Sequence, residues 1–115
     1  MEGEDLRRLH EVGIEERFAS GQMLIERGQY GAGLFVILEG TVVVDAPEGT
    51  RDLGPGTVVG ERALLSADGI RTARVRATSD VRLLLVDRAE FERLCADDPS
   101  FGERVAKAAA GTTTG

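Results

Sequence analysis

The sequence predicts a mainly β fold, an antiparallel eight-stranded β-roll of the jelly-roll type, with an N-terminal helix and two C-terminal helices. Between Ile14 and Asp87, short runs of strand-forming residues alternate with glycine-rich turn sequences. The segments on either side instead place apolar residues at helical spacing. The chain has 115 residues, of which 42% are hydrophobic, enough for one modest core.

The first element is an amphipathic helix in the segment "EDLRRLHEVG". Leu6, Leu9 and Val12 fall on one of its faces, and Gly13 ends it. His10 falls within the same charged segment, so we interpret it as a solvated helix residue.

Eight strands follow. They are bounded by the turn sequences "SGQ", "RGQYGAG", "EG", "APEGT" and "LGPG". The predicted strands are Glu16–Ala19, Met23–Glu26, Leu34–Glu39, Thr41–Asp45, Arg51–Leu53, Thr57–Val59, Ala73–Ala77 and Val81–Asp87. Short strands at this spacing favour an antiparallel roll or barrel.

The chain then becomes helical again. Asp87 can cap a helix, with Glu90 completing a capping box and Phe91, Leu94 and Cys95 forming the apolar stripe.

Asp98-Pro99 starts the last helix, "FGERVAKAAA", with proline at its first position. We therefore divide the chain into a domain of residues 1–110 and a mobile polar tail of residues 111–115.

Composition limits the function. The formal net charge is −6, which disfavours nucleic-acid binding because that role needs a basic face. Arginine supplies every positive side chain except Lys107, so an anion site would be built on guanidinium groups. The single Cys95 excludes an internal disulfide and fits a reducing compartment. No apolar run reaches the ~20 residues of a membrane helix and no signal peptide opens the chain, so we expect a cytoplasmic protein.

Catalysis is disfavoured as well. With one histidine, one cysteine and no clustered carboxylates, the usual zinc and iron sites cannot be assembled. His10 is no partner for a serine nucleophile. We expect no enzyme activity, no metal and no cofactor; a small cupin-like enzyme is the least favoured alternative.

The segment "VVGERALLSADGIRTARV" carries the strongest functional signal. If Ala73 and Val75 face the core, strand alternation points Arg71 inward with them and leaves Arg74 and Arg76 in solvent. A guanidinium aimed into a β-roll needs an anion, which is either an internal carboxylate or a bound ligand.

Just before it, Gly60 permits close backbone approach, and residues 61–65 can form one helical turn whose first amides suit an anion. Glu61 would repel a phosphate and should face a hydroxyl. Together these groups suit a sugar phosphate. An internal Glu61–Arg71 ion pair that braces the loop remains the alternative.

"GERALL" followed by "RTARV" resembles the phosphate-binding cassette of cyclic nucleotide-binding domains. "ERGQYGAGLFVILEGTVVV" resembles the glycine-bounded strand pair of that family, and "DLGPGTVVGE" its approach to the cassette. The resemblance runs from about Asp5 to Phe101. It extends to the modules of cyclic-nucleotide-dependent kinases, bacterial cyclic-AMP receptor regulators and cyclic-nucleotide-gated channels.

The resemblance implies a ligand, cAMP or cGMP, and a role for each cassette residue. Gly60 gives backbone clearance, and Glu61 accepts a hydrogen bond from the ribose 2′-hydroxyl. The amides of Arg62 and Ala63 meet the phosphate.

By the same resemblance, Arg71 pairs with the equatorial phosphate oxygen, and Thr72 and the Ala73 amide add hydrogen bonds. Thr72 is of the type that can bond the 2-amino group of a syn guanine, and Arg51 resembles a guanine-contacting arginine of the cyclic-GMP-dependent kinase, which would make cGMP the ligand. Thr72 could equally serve either nucleotide, and Arg51 could be a solvent-facing edge residue.

We therefore expect a cyclic nucleotide sensor that signals by movement of its C-terminal helices to an unknown effector. The segment "CADDPS" is the expected hinge, and the last helix the expected lid. The main alternative is a binding-incompetent interaction module in which Glu61 satisfies Arg71.

Overall fold

The computed structural model describes residues 3–31, 33–61, 64 and 69–110. Residues 109 and 110 are described in backbone only. The described strands are β1 (Ile14–Phe18), β2 (Met23–Ile25), β3 (Gly33–Glu39), β4 (Val42–Ala46), β5 (Gly49–Leu53), β6 (Val58–Val59), β7 (Arg74–Ala77) and β8 (Val81–Asp87). The helices whose bounds the structure describes are α1 (Gly3–Val12), α2 (Arg88–Asp97) and α3 (Phe101–Ala110). The predicted order of helix, eight strands and two helices is confirmed.

The strands form two antiparallel sheets of four. Their orders are β1–β8–β3–β6 and β2–β7–β4–β5. The two sheets face each other across a core that includes Phe35, Ile37, Val44, Val75 and Leu83. The predicted mainly β roll with flanking helices is therefore the fold of this chain.

The three helices cover the outer face of the β1–β8–β3–β6 sheet. Leu34 and Val36 on that face join Leu9 of α1, Phe91 of α2 and Phe101 of α3 in a second apolar cluster. Because β3 is buried on both faces, its apolar residues run without alternation, as in sheets that are covered on both sides. The molecule thus has three layers: sheet, sheet and helices.

The N-terminal helix ends where the sequence predicts. The Gly13 amide donates to the Leu9 carbonyl at 2.7 Å. A Cβ on Gly13 would lie 2.8 Å from that carbonyl oxygen, so a larger residue would not fit.

The cap at Asp87 is also present, since its side chain accepts from the Glu90 amide at 2.9 Å. The Glu90 carboxylate pairs with Arg93 within the same helix. The sequence predicted that Glu90 completes a capping box with Asp87; the side-chain contact that the structure gives for Glu90 is this pair with Arg93.

The prediction that Pro99 occupies the first position of the last helix is wrong by two residues. Pro99 and Ser100 form a turn in which the Phe101 amide donates to the Asp98 carbonyl at 2.9 Å, and α3 begins at Phe101. Asp98 also ends α2, since its amide donates to the Leu94 carbonyl. The predicted tail, residues 111–115, lies outside the described residues.

Candidate functional site

Strand β7 presents its arginines as the alternation predicts. Val75 and Ala77 are buried in the core, and Ala73 packs against it. Arg74 and Arg76 are exposed, and the Arg74 Nε donates to the Glu26 carboxylate at 2.8 Å. Arg71, two residues before Ala73, is half-buried at the end of the roll.

Two backbone carbonyls hold the Arg71 guanidinium. Its Nη1 donates to the Gly60 oxygen and its Nη2 to the Gly33 oxygen, both at 2.7 Å. The side chain thus joins the end of β6 to the start of β3. Both oxygens lie at or next to strand ends, so these two hydrogen bonds tie the guanidinium to the sheet backbone.

Burial lowers the pKa of Arg71, and this effect exceeds the opposing attraction of Glu61. The nearby positive charge of Arg88 lowers the pKa further. The guanidinium nonetheless stays charged at neutral pH, because arginine is not deprotonated in proteins. Burial and Arg88 thus disfavour the charged form of Arg71, and an anion in contact with the guanidinium would stabilise that form.

Gly60 is required at this site for two reasons. Its φ is +87°, in the region that L side chains avoid. A Cβ there would also lie 2.6 Å from the Arg71 Nη1. Glycine therefore allows the carbonyl of residue 60 to turn toward Arg71 and leaves room for the guanidinium.

A short backbone ladder presents Arg71 to the site. Its amide donates to the Gln29 carbonyl at 2.7 Å, and its own carbonyl accepts from the Gly28 amide at 2.9 Å. Next to this pair, Tyr30 and Ile70 form an antiparallel bridge. The loop between β2 and β3 and the segment leading to β7 therefore stabilise each other.

Arg88, the first residue of α2, lies against this ladder. Its Nη2 donates to the Gly31 carbonyl at 3.0 Å, and its guanidinium carbon lies 5.1 Å from the centre of the Tyr30 ring. Sequence reasoning missed both Arg88 and the Gly33 carbonyl. A carbonyl acceptor has no residue signature, and the contact of Arg88 depends on how a helix meets a loop.

Arg51 faces the interior of the roll. It lies opposite Val44 in the β4–β5 pair and shares a sheet face with the buried Leu53. Its side chain is half-buried, and its Nε is buried without a hydrogen-bond partner among the residues that the structure describes. Arg51 thus lies on the core-facing side of an edge strand, with its side chain still partly accessible.

The remaining predicted site residues are placed in part. Glu61 is half-buried and has helical backbone conformation, and Leu64 packs against the apolar cluster of the helices. Thr72 is exposed. The amides of Arg62 and Ala63 lie outside the described residues.

The described part of the chain offers neither a metal site nor a membrane-spanning helix. No group of three His, Cys, Asp or Glu side chains there could hold a metal ion. None of the helices there has the length and apolar character needed to cross a membrane.

Comparisons with known proteins agree with one another. Residues 15–98 match the family model described as the cyclic nucleotide-binding domain. The chain is 36% identical over 90 residues to a cyclic nucleotide-gated potassium channel of Rhizobium etli, which covers 78% of this chain and 25% of the channel. It is 40% identical over 81 residues to a cGMP-dependent protein kinase of Caenorhabditis briggsae, covering 70% of this chain and 11% of the kinase.

Solved structures give the same result. One, from work on a cyclic-GMP-dependent signalling pathway that regulates bacterial phytopathogenesis, superposes with a TM-score of 0.81 at 34% identity. That match covers 93% of this chain and 89% of the other. The catabolite activator protein of Thermus thermophilus superposes with a TM-score of 0.78 at 25% identity, covering 96% of this chain and 54% of the other.

Proposed function

The chain belongs to the cyclic nucleotide-binding domain family, and we propose that it is a regulatory sensor that binds cAMP or cGMP through residues 60–73. The observation that carries this proposal is the Arg71 guanidinium, half-buried and held by the carbonyls of Gly60 and Gly33. Two of its five N–H donors serve to orient the group. The same fork can then meet the equatorial oxygen of a cyclic phosphate without the entropy cost of ordering a free side chain.

The other cassette residues would complete the site. We assign the ribose 2′-hydroxyl to Glu61, which lies near enough to influence Arg71 electrostatically. The amides of Arg62 and Ala63 would donate to the phosphate, as helix starts commonly do. Thr72 and the Ala73 amide would add hydrogen bonds.

We favour cGMP as the ligand. Arg51 faces the roll interior, and a guanine offers its O6 and N7 acceptors to an arginine fork, whereas adenine offers only N7. Two relatives described above are associated with cyclic GMP by name, the kinase and the phytopathogenesis protein. Thr72 remains the second candidate for a contact to the guanine base.

Side-by-side calorimetric titration with cGMP and cAMP tests the ligand proposal. We expect both to bind, cGMP more tightly, and Arg51→Ala to remove most of the difference between them. Arg74→Ala is the matched control because Arg74 lies on an exposed strand face and pairs with Glu26. Equal selectivity in the wild type and Arg51→Ala would contradict the role of Arg51.

For the output, we propose that nucleotide binding moves the C-terminal helices. The cassette would be drawn toward the phosphate, and α3 would close over the purine. The nucleotide would shift the equilibrium between the open and closed states by its higher affinity for the closed one. Hydrogen exchange with and without nucleotide should then show protection across residues 101–109 as well as 60–73. Protection of residues 60–73 alone would contradict a moving lid.

The chain spans only 25% of the channel relative and 11% of the kinase relative, so the protein on which this domain acts has to be proposed. We propose a separate protein or domain as the effector, and a cytoplasmic location, in keeping with the free thiol of Cys95.

The alternative function is a binding-incompetent interaction module. The electrostatic attraction of Glu61 on Arg71 favours it, since an internal ion pair would occupy the guanidinium. Absence of heat with both nucleotides, in protein with a normal circular dichroism spectrum, would favour this alternative over the sensor.

A further inference from the structure

A cluster of four charged residues joins the two ends of the chain. Arg104 of α3 binds both carboxylate oxygens of Asp5 in α1, through Nε at 2.7 Å and Nη2 at 3.0 Å. The same Nη2 donates to the Asp98 Oδ2 at 2.6 Å, and Arg8 Nη1 donates to that oxygen at 2.9 Å. The cluster therefore connects α1, the turn between α2 and α3, and α3.

Asp98 is the centre of this cluster and of the local backbone. Its amide ends α2, its carbonyl accepts from the Phe101 amide, and its side chain also accepts from the Ser100 amide at 3.3 Å. The segment that the sequence predicts as a hinge is thus held on α1 by two arginines. Any displacement of α3 about this turn has to break or stretch ion pairs.

We propose that Asp5, Arg8, Asp98 and Arg104 form an electrostatic latch that holds α3 on α1 and resists its displacement. The side chains are 19% to 40% exposed, so the attraction is accessible to salt. Salt shortens the screening length from about 10 Å at 0.1 M to about 3 Å at 1 M. The latch should therefore weaken with ionic strength, whereas the apolar contacts of Phe101 and Val105 should not.

Asp5 and Glu4 provide a matched pair of variants. Both are acidic residues in the first turn of α1, but Glu4 pairs with Arg7 in its own helix, whereas Asp5 reaches α3. Asp5→Asn keeps the shape of the side chain and leaves Arg104 over the Phe101 ring. The Arg104 guanidinium carbon lies 5.8 Å from the centre of that ring. Glu4→Gln removes an equal charge from the same turn without touching α3.

Hydrogen exchange of residues 101–108 in nucleotide-free protein is the test. In about 0.05 M NaCl we expect Asp5→Asn to exchange about threefold to tenfold faster than wild type in α3, and Glu4→Gln to match wild type. In about 0.5 M NaCl the exchange rate of α3 in the wild type should rise toward that of Asp5→Asn, whose own rate should hardly depend on salt. Wild-type exchange in Asp5→Asn at low salt, or equal acceleration in Glu4→Gln, would overturn the latch.

A nucleotide arm rests on the proposed function. If α3 leaves α1 to cover the purine, Asp5→Asn should bind cGMP about twofold to fivefold more tightly than wild type and Glu4→Gln. Unchanged or weaker binding would overturn the part of the proposal in which the latch opposes the ligand. If the wild type binds neither nucleotide, the sensor proposal fails, and the exchange experiment still decides the latch.

Discussion

Two arginines in different parts of the molecule illustrate two ways of satisfying a guanidinium. At the end of the roll, the hydrogen bonds described for Arg71 go to the carbonyls of Gly60 and Gly33. In the helix layer, Arg104 is bound by the carboxylates of Asp5 and Asp98. Burial lowers the pKa of Arg71, whereas the two carboxylates raise the pKa of Arg104 above its ordinary value.

We propose that this difference separates a binding group, Arg71, from a structural one, Arg104. Carbonyl dipoles orient a guanidinium without supplying a full negative charge, so under this proposal Arg71 would still attract an anion. Carboxylates supply full negative charges, so Arg104 has less to offer a ligand but joins elements that are far apart in sequence. On this basis, substitutions at the Arg71 end should change ligand affinity, and substitutions at the Arg104 end should change the helices.

The largest expected effect is that of Arg71→Ala on ligand binding. Without the guanidinium the phosphate loses its charge-assisted contact, and affinity should fall by about 2–5 kcal/mol. Lysine at this position would keep the charge but lose the fork geometry, so it should restore only part of the affinity. Calorimetry measures both, with circular dichroism as the check on the fold.

The control for this experiment is Arg74→Ala, on the exposed face three residues away. It should leave the affinity unchanged. Near-normal affinity in a folded Arg71→Ala protein would remove the distinction between the two arginines and with it the proposed phosphate contact.

Gly60→Ala should have the next largest effect and can be compared with Gly21→Ala. The two glycines have φ of +87° and +93°, so alanine should cost each about 1–2 kcal/mol in the free energy of unfolding. A Cβ at Gly21 meets nothing within 4 Å, whereas at Gly60 it would displace the Arg71 Nη1.

Thermal unfolding of both variants measures the backbone strain, and nucleotide titration measures the effect of displacing the Arg71 guanidinium. Only Gly60→Ala should also weaken nucleotide binding, by about tenfold or about 1.4 kcal/mol. Equal affinities in the two alanine variants would mean that the position of Arg71 does not depend on Gly60.

The sequence predicted Arg71 better than Arg104 for a physical reason. Strand alternation is a local, two-residue period, so the inward direction of Arg71 could be predicted from Ala73 and Val75, although β7 itself begins only at Arg74. The pairing of Arg104 with Asp5 spans 99 positions and depends on how α3 is placed over α1. No local pattern contains that information.

The same distinction holds elsewhere. Asp87 was recognisable as a cap because capping depends on neighbours within one turn. The interior position of Arg51 depends on the register between β4 and β5 and on which sheet face the core covers. The order and number of strands were predictable because glycine-rich turns mark their boundaries.

An effect on binding of about the same size, but without a strained backbone, is expected for Glu61. If its carboxylate accepts from the ribose 2′-hydroxyl, Glu61→Ala should weaken cGMP binding by about 1–3 kcal/mol. The 2′-deoxy analogue lacks the same hydrogen bond, so the two losses should not add in a double cycle of titrations. Full additivity would instead mean that Glu61 is the ion-pair partner of Arg71. Arg71 and Arg104 would then be alike, each held by a carboxylate.

The smallest expected effect concerns acid. Hydrogen bonds from Arg104 and Arg8 hold the pKa of Asp98 below its ordinary value. A carboxyl whose pKa is lower in the folded state stabilises the fold above its unfolded pKa of about 3.9, and that contribution disappears as the pH falls through the folded pKa. The thermal midpoint of the wild type should therefore decrease below about pH 4 more than that of Asp98→Asn, in which this contribution is absent.

Asp97→Asn is the control for the acid experiment, because Asp97 is exposed and adjacent to Asp98. Its midpoint should follow the wild type when unfolding is monitored by circular dichroism across this pH range. The Arg71 end should not contribute to the difference, since a guanidinium remains protonated throughout. If Asp98→Asn and Asp97→Asn lose stability in parallel with the wild type, the ion pairs at the helix turn do not stabilise the fold. Arg104 would then differ from Arg71 in its partners but not in its effect on the protein.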